Sequence, residues 1–196
     1  MHRLFVVTDC QFTLMGLEWL MKEADKAIKV IQVRKPEDVL TSPEGEGNRA
    51  VLIVMPVGSP AIRASGRLFL WRWALWRPVS QTGITPCLLL CDKQESNVTG
   101  AYPLSRQLSL PTLSAQLLAI LNHPAFYVRT CSRVRPLTAI QRVVLEATIT
   151  GERVSVTAAR LGVTERSVFS CRTALIHKIG LRNRMELMCL NDRDAI

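Results

Sequence analysis

The sequence predicts an α/β domain followed by an all-helical domain. Up to residue 121, short apolar segments alternate with segments of helical apolar spacing, which is typical of a parallel sheet covered by helices. Beyond residue 137, only helical spacing recurs. Residues 123–136 contain two prolines and no acidic residue. We therefore expect domains at residues 1–122 and 137–196, joined by a linker at residues 123–136.

Four segments of the first domain are predicted to be strands, because each is a short and largely apolar run. Leu4–Thr8 is the first of them, and Ala27–Val33 alternates apolar and polar residues, as a strand with one wetter face would. Ala50–Met55 and Pro86–Cys91 are continuously apolar, which is expected of parallel strands buried on both faces. The GAYPLSR segment at residues 100–106 is predicted to be a turn.

Helices are predicted between these strands from their apolar spacing. They are Leu14–Lys26, a short helical turn at Pro36–Leu40, Arg63–Arg77 and a closing helix at Leu113–Leu121. Three of the four tryptophans fall within six residues, from Trp71 to Trp76. Such a cluster belongs either to the core or to an exposed interface, where Trp is enriched, so Trp71 is a candidate dimerisation residue.

The second domain contains a short helix, a glycine-containing turn and a longer helix at about residues 154–178, which is the helix-turn-helix pattern. Its four predicted helices are Thr138–Thr150, Ser155–Leu161, Glu165–Ile179 and Arg184–Leu190. Gly162 is the predicted stop of the short helix, and Thr164 is the predicted N-cap of the longer one. In such a motif the longer helix enters the major groove of double-stranded DNA.

The longer helix carries residue types that suit DNA recognition. Its predicted outward residues combine three cations with three hydroxyls and no carboxylate: Arg166, Ser167, Ser170, Arg172, Thr173 and Lys178. The whole chain has 25 Lys and Arg against 16 Asp and Glu, a formal net charge of +9. Residues 131–196 hold 11 of these cations and 6 of these acids. More than half of the basic excess thus lies in the last third of the chain, which favours DNA as its partner.

Residues Leu137–Leu187 resemble the LuxR-type helix-turn-helix domain of bacterial transcription regulators. The family's central pattern is matched at Ala158, Leu161, Val163, Thr164, Ser167 and Val168. Its closing pattern is matched at Lys178, Ile179, Gly180, Leu181, Asn183, Arg184, Glu186 and Leu187. The resemblance covers about 50 residues without a gap, and it implies a sequence-specific DNA-binding transcription regulator.

The resemblance also implies the roles of single residues. By position, Ser170 and Thr173 match places where relatives contact bases. Places nearer the phosphates or the scaffold are matched by Ser167, Lys178 and Arg184. The lysine that is usual in the recognition helix is Phe169 here, which either contacts a thymine methyl or packs inward. The full predicted DNA-binding set is Thr164, Arg166, Ser167, Phe169, Ser170, Arg172, Thr173, Lys178 and Arg184.

The last predicted helix would help two copies meet over adjacent half-sites. Its candidate dimerisation residues are Met185, Met188 and Leu190. The expected protein partner is a second copy or another LuxR-type regulator.

The first domain resembles a flavodoxin-like response-regulator receiver domain, as in NarL/FixJ-like regulators. It is most similar to the degenerate receivers of accessory regulators of the RcsA and BglJ kind. A receiver needs an Asp after its third strand, an acidic pair for Mg²⁺, a hydroxyl and a Lys. No Asp or Glu occurs between Glu46 and Asp92, Asp9 stands alone after the first strand, and Cys91 lies where the hydroxyl is expected. We therefore expect no phosphoacceptor and a regulator that acts without phosphorylation.

Other function classes find little support in the sequence. No motif indicates an enzyme or a cofactor, and the six Cys and three His show no metal-ligand spacing. The longest apolar stretch, Ala50–Val57, is far shorter than the ~20 residues of a bilayer span, and no signal peptide is recognisable. We expect a cytoplasmic regulator without membrane contact. The alternative is a protein-interaction regulator that sequesters or redirects a partner transcription factor. Control of surface structures such as fimbriae is implied only by the resemblance.

Overall fold

The computed structural model describes residues 1–42, 47–55, 58–76, 84–92, 100–128 and 135–191. Contacts between these residues divide the chain into two compact units. The first unit comprises Met1–Val57 and Trp76–Arg133, and the second comprises Gly58–Leu75 and Val134–Ile196. Part of the predicted linker, residues 129–134, and the last residues of the predicted second domain, 192–196, lie outside the described residues.

The first unit is built on a five-stranded sheet in which all neighbouring strands are parallel, in the order β2-β1-β3-β4-β5. The strands are β1 His2–Val7, β2 Ile28–Gln32, β3 Arg49–Val54, β4 Cys87–Cys91 and β5 Tyr102–Ser105. This is the flavodoxin-like order, so the predicted receiver-like α/β fold is confirmed. β3 is the central strand, which explains why the Ala50–Met55 segment is apolar throughout and buried throughout.

The prediction of a turn at residues 100–106 is wrong, because this segment contains β5. Leu104 pairs with Leu90 of β4, and its side chain is buried against the sheet core. Pro103 interrupts the apolar pattern and hides the strand in the sequence. At the edge of a sheet a proline is tolerated, because its missing N–H can lie on the unpaired side.

Eight α-helices are formed by the described residues. They are α1 Gln11–Ala24, α2 Pro36–Leu40, α3 Pro60–Trp76, α4 Leu110–Asn122, α5 Ala139–Ile149, α6 Val154–Leu161, α7 Glu165–Ile179 and α8 Arg184–Met188. α1 and α4 lie side by side over β1 and β3 and bury their inner stripes in the core of the first unit. Within the described part of the chain, none of the helices has the length and apolarity that crossing a bilayer requires.

The predicted linker begins as ordered structure. Pro124–Tyr127 forms a 3-10 helix that follows α4 directly. The ring of Tyr127 packs edge-on against Tyr102 of β5, with 5.0 Å between ring centroids. Residues 123–128 therefore belong to the first unit rather than to a free linker.

The second unit has its own core, and α3 is part of it. α5 to α8 contribute most of the buried apolar side chains, among them Leu145, Leu175 and Leu187. Ala64 and Leu68 of α3 lie in the same cluster. The sequence placed this helix in the first domain, because its chain position falls between two strands of the sheet.

The exposed-interface alternative for the tryptophan cluster is wrong for Trp71. Its side chain is 7% exposed and packs in the core of the second unit, and Trp73 is 4% exposed. The side chain of Trp76 lies outside the described part of the structure. Burial inside the second unit leaves Trp71 unable to serve as a dimer surface.

Candidate nucleic-acid interface

A three-residue connection sets α7 against α6. Gly162 ends α6 with φ 64°, a left-handed conformation that glycine adopts without a side-chain penalty. The next N–H, that of Val163, donates to the Ala158 carbonyl at 3.0 Å, which closes the helix end. Thr164 then caps α7, with its Oγ1 accepting from the Ser167 N–H at 3.2 Å. Both predicted turn residues therefore occupy the predicted positions.

The two helices of the motif meet along a closely packed seam. Ala158 and Thr157 of α6 are buried, and so are Val168 and Leu175 of α7. The Thr157 hydroxyl donates to the Arg153 carbonyl at 3.2 Å, so its burial leaves no unsatisfied polar group. Because this seam fixes one side of α7, the opposite side is presented as a rigid exposed surface.

That exposed side carries a stripe of polar residues, which we call the α7 stripe. Its members are Arg166, Ser170, Thr173 and His177, all exposed. Their spacing of four, three and four residues places them on one face of the helix. The predicted outward orientation of the first three agrees with the structure. His177 was missed, although the same spacing in the sequence could have identified it.

The α7 stripe is chemically suited to DNA. Arg166 forms no ion pair with any residue that the structure describes, so its guanidinium can reach an anion. The Thr173 hydroxyl donates to the Phe169 carbonyl at 3.2 Å and keeps its acceptor capacity. Cations and hydroxyls on a groove-sized helix are the groups that contact phosphates and base edges.

Phe169 lies beside this stripe and is exposed rather than packed inward. Its side chain is 40% exposed, and the guanidinium carbon of Arg184 lies 5.3 Å from the ring centroid. A cation above an aromatic face is held by the ring's quadrupole, by about 0.5–1 kcal/mol at an exposed site. The two side chains therefore orient each other at the surface of α7.

The prediction that Arg172 points outward is wrong. Arg172 is 5% exposed, and its Nε donates to Oγ1 of Thr148 at 3.1 Å. It lies four residues after Val168 and three before Leu175, so it shares the core face of α7. Burial, and then the positive charge of Arg184, lower the pKa of Arg172. Its charge made it look like a surface residue, but its helical position assigns it to the core.

Lys178 holds the domain together at the opposite end of α7. Its Nζ donates to the Pro136 carbonyl at 2.7 Å and to Oε1 of Gln141 at 2.8 Å. The same Gln141 oxygen accepts from the N–H of Thr138 in the capping box of α5. Of the two roles that the sequence left open for Lys178, the geometry favours the scaffold.

Thr164 and Ser167 are exposed at the start of α7, but both serve the cap. Their hydroxyl oxygens are 2.9 Å apart, in addition to the backbone hydrogen bond described above. The hydroxyl hydrogen that is not used in this pair stays available to an incoming phosphate. These two residues therefore border the α7 stripe at the positive end of the helix dipole.

The candidate dimerisation residues of α8 fall into two groups. Met185 and Met188 are 65% and 47% exposed, as a contact surface requires. Leu190 is 3% exposed and belongs to the core of the second unit, so its prediction as a dimer residue is wrong. It follows the end of α8, where the chain turns back onto the core instead of continuing the exposed face.

The carboxyl edge of the sheet in the first unit has no receiver-type acidic site. Met55 follows β3 and is buried, Cys91 ends β4 and is buried, and Asp9 is exposed. Asp92 lies 4.0 Å from Arg106, an exposed pair of little energetic weight. No group of three His, Cys, Asp or Glu that could hold a metal ion occurs among the described residues.

Comparison with known proteins assigns the second unit to a family. Residues 135–191 match the family described as bacterial regulatory proteins, luxR family, which covers α5 to α8. Full-length FixJ from B. japonicum is 16% identical, covering 95% of this chain and 93% of its own, with a TM-score of 0.41. The response regulator RcsB in its complex with DNA is 14% identical, covering 95% of both chains, also with a TM-score of 0.41. No curated protein sequence matches this chain significantly.

Proposed function

Residues 135–191 are a domain of the luxR family of bacterial regulatory proteins, and from this premise we propose that the chain regulates transcription by binding specific sequences of double-stranded DNA. The observation that carries the proposal is the α7 stripe. It presents one unpaired arginine, two hydroxyls and an imidazole on one exposed helix face, braced from behind by α6. A helix of this kind fits the major groove, which is ~12 Å wide.

The contacts divide into positioning and reading. Thr164 and Ser167 at the start of α7, and Arg184 beside it, are placed for phosphates. Arg166, Ser170 and Thr173 extend into the groove, where guanidinium and hydroxyl groups bond to base edges. Chromatin immunoprecipitation with sequencing tests this in cells. The wild-type chain should enrich a shared motif that the Arg166→Ala variant does not enrich.

Phe169 gives the recognition surface an apolar contact. We expect its exposed ring to touch the C5-methyl group of a thymine, because the major-groove edge of thymine carries that methyl. Replacing the contacted thymine by deoxyuridine removes only the methyl and should weaken binding of the wild-type chain by about fivefold, roughly 1 kcal/mol. Phe169→Ala should bind both DNAs equally. Equal loss in wild type and variant would contradict the contact.

The regulator is proposed to act without phosphorylation. Incubation with acetyl phosphate should leave its DNA affinity unchanged, because Met55 follows β3 where a receiver needs an aspartate. The affinity is measured by titration of a labelled DNA fragment, and intact-mass spectrometry of the same sample reports any adduct. A phosphoryl group on Asp9 or Asp92 together with a changed affinity would contradict this prediction.

The alternative is a regulator that acts by binding another LuxR-type protein with little DNA contact of its own. The exposed Met185 and Met188 favour it, because flexible methionine side chains suit adaptable protein contacts. An Arg166→Ala variant separates the two functions. Under the alternative it still binds the partner and regulates normally, whereas under DNA recognition it loses regulation. Either function is exercised in the cytoplasm, where bacterial DNA is found.

A further inference from the structure

Three large apolar side chains lie on the outer face of α1. Phe12, Met15 and Trp19 are 87%, 63% and 62% exposed, and their spacing of three and four residues puts them on one stripe. The opposite face of α1, including Leu14 and Leu17, is already buried in the core. A contiguous exposed apolar stripe on a folded chain marks an interaction surface.

Gly16 lies on the same exposed face and has no structural reason within the chain to be glycine. A β-carbon at Gly16 would meet no atom within 4 Å, and the residue does not have a positive φ. Glycine inside a helix costs roughly 0.5–1 kcal/mol relative to alanine. A gap of this kind between exposed apolar side chains is explained by a side chain that enters from a partner.

We propose that two copies of this chain associate through α1, with the two helices antiparallel about a two-fold axis. In the register that sets Phe12 opposite Trp19 of the second copy, Met15 lies opposite Gly16 of the second copy. The long side chain thus enters the gap, and the two-fold axis creates the same contact twice. The same register sets Asp9 opposite Lys22 of the second copy, and both residues are exposed and of opposite charge.

Charge and area favour a second copy as the occupant. Each copy carries +9, so two copies need a contact surface without net positive charge. α4 packs beside α1 and has no charged residue from Leu110 to Asn122, and Leu110 is 62% exposed. Aromatic side chains bury ~150–250 Å² each, so the α1 stripe supplies about half of the ~800 Å² that a standard interface buries per partner. The neutral surface of α4 supplies the remainder.

The oligomeric state of the full chain, measured by sedimentation velocity over a range of micromolar concentrations, tests the proposal. It deepens the proposed function, on which it rests for its purpose, but the measurement contains no DNA. Gly16→Leu is the sharpest variant, because leucine meets only open space in the single chain and is a better helix former. It should nevertheless raise the dimer dissociation constant at least tenfold, since it fills the gap. Trp19→Glu should do the same, and Phe126→Glu, at an exposed phenylalanine outside α1, should have no effect.

A charge exchange tests the register. Asp9→Lys and Lys22→Asp should each weaken the dimer, and the double variant should restore it. A wild-type chain that stays monomeric, or a dimer that neither Gly16→Leu nor Trp19→Glu weakens, would overturn the proposal. A chain that dimerises as described but binds no DNA would leave this inference standing and remove the proposed function, so the two failures are distinguishable.

Discussion

Replacing Glu186 by alanine should lower the free energy of unfolding of the second unit by about 3–5 kcal/mol. The carboxylate is 2% exposed, and its Oε1 accepts a hydrogen bond from Nε of Arg63 at 3.1 Å. Its Oε2 accepts from the backbone N–H of Arg182 at 2.8 Å. The alanine variant leaves the largely buried guanidinium of Arg63 without a counter-charge and removes the acceptor for the Arg182 N–H, so both groups lose their compensation for desolvation.

Urea denaturation of the full chain, followed by far-UV circular dichroism, measures this loss. The matched control is Glu152→Ala, because Glu152 is paired with Arg160 at 2.8 Å on the surface. An exposed pair of this kind contributes about 0–1 kcal/mol. Equal, small losses in the two variants would contradict the account of Glu186 as the ionic link between α3 and α8.

Two arginines of α7 should respond to alanine substitution in opposite ways. Arg172→Ala should cost about 1.5–3 kcal/mol of stability, because it removes a buried charged hydrogen bond to Thr148. Arg166→Ala should change stability by less than about 0.5 kcal/mol, because Arg166 is exposed and forms no ion pair with the described residues. It should instead weaken DNA binding by about 1–3 kcal/mol if it reads a base.

Denaturation and DNA titration of both variants separate these effects. Arg172→Met is the companion variant, since it keeps most of the packed volume while removing the hydrogen bond. Adding Thr148→Val to Arg172→Ala should cost less than the sum of the two single losses, because the partners share one interaction. A stable Arg172→Ala variant with selectively weakened DNA binding would return Arg172 to the DNA surface.

Much of the fold follows from the sequence because its strongest signals are local. The continuous apolar runs around β3 and β4 identify buried parallel strands, and Gly162 with Thr164 marks the turn between α6 and α7. Both features depend on neighbouring residues only. The exposed members of the α7 stripe follow from helical periodicity for the same reason.

The remaining features depend on contacts between distant residues. α3 has an apolar sequence that fits any core, and only its packing with Leu187 and its ion pair with Glu186 assign it to the second unit. Arg172 carries the charge of a surface residue, and its burial depends on Thr148, which lies 24 positions earlier. Leu190 is apolar at a helix end, where the direction of the following chain decides between core and surface.

Titration of a labelled DNA fragment with the full chain, at increasing salt concentrations, tests the central claim that the α7 stripe reads DNA. The fragment is the sequence that the chain selects from random DNA, and a scrambled fragment is the comparison. We predict that the selected fragment binds at least ~10³-fold more tightly and that the logarithm of its affinity falls linearly with the logarithm of salt concentration. Arg166→Ala should lower the affinity and, if Arg166 contacts a phosphate, reduce that slope by about 1. Equal, weak binding to both fragments, or binding that Arg166→Ala and Ser170→Ala leave unchanged, would contradict the claim.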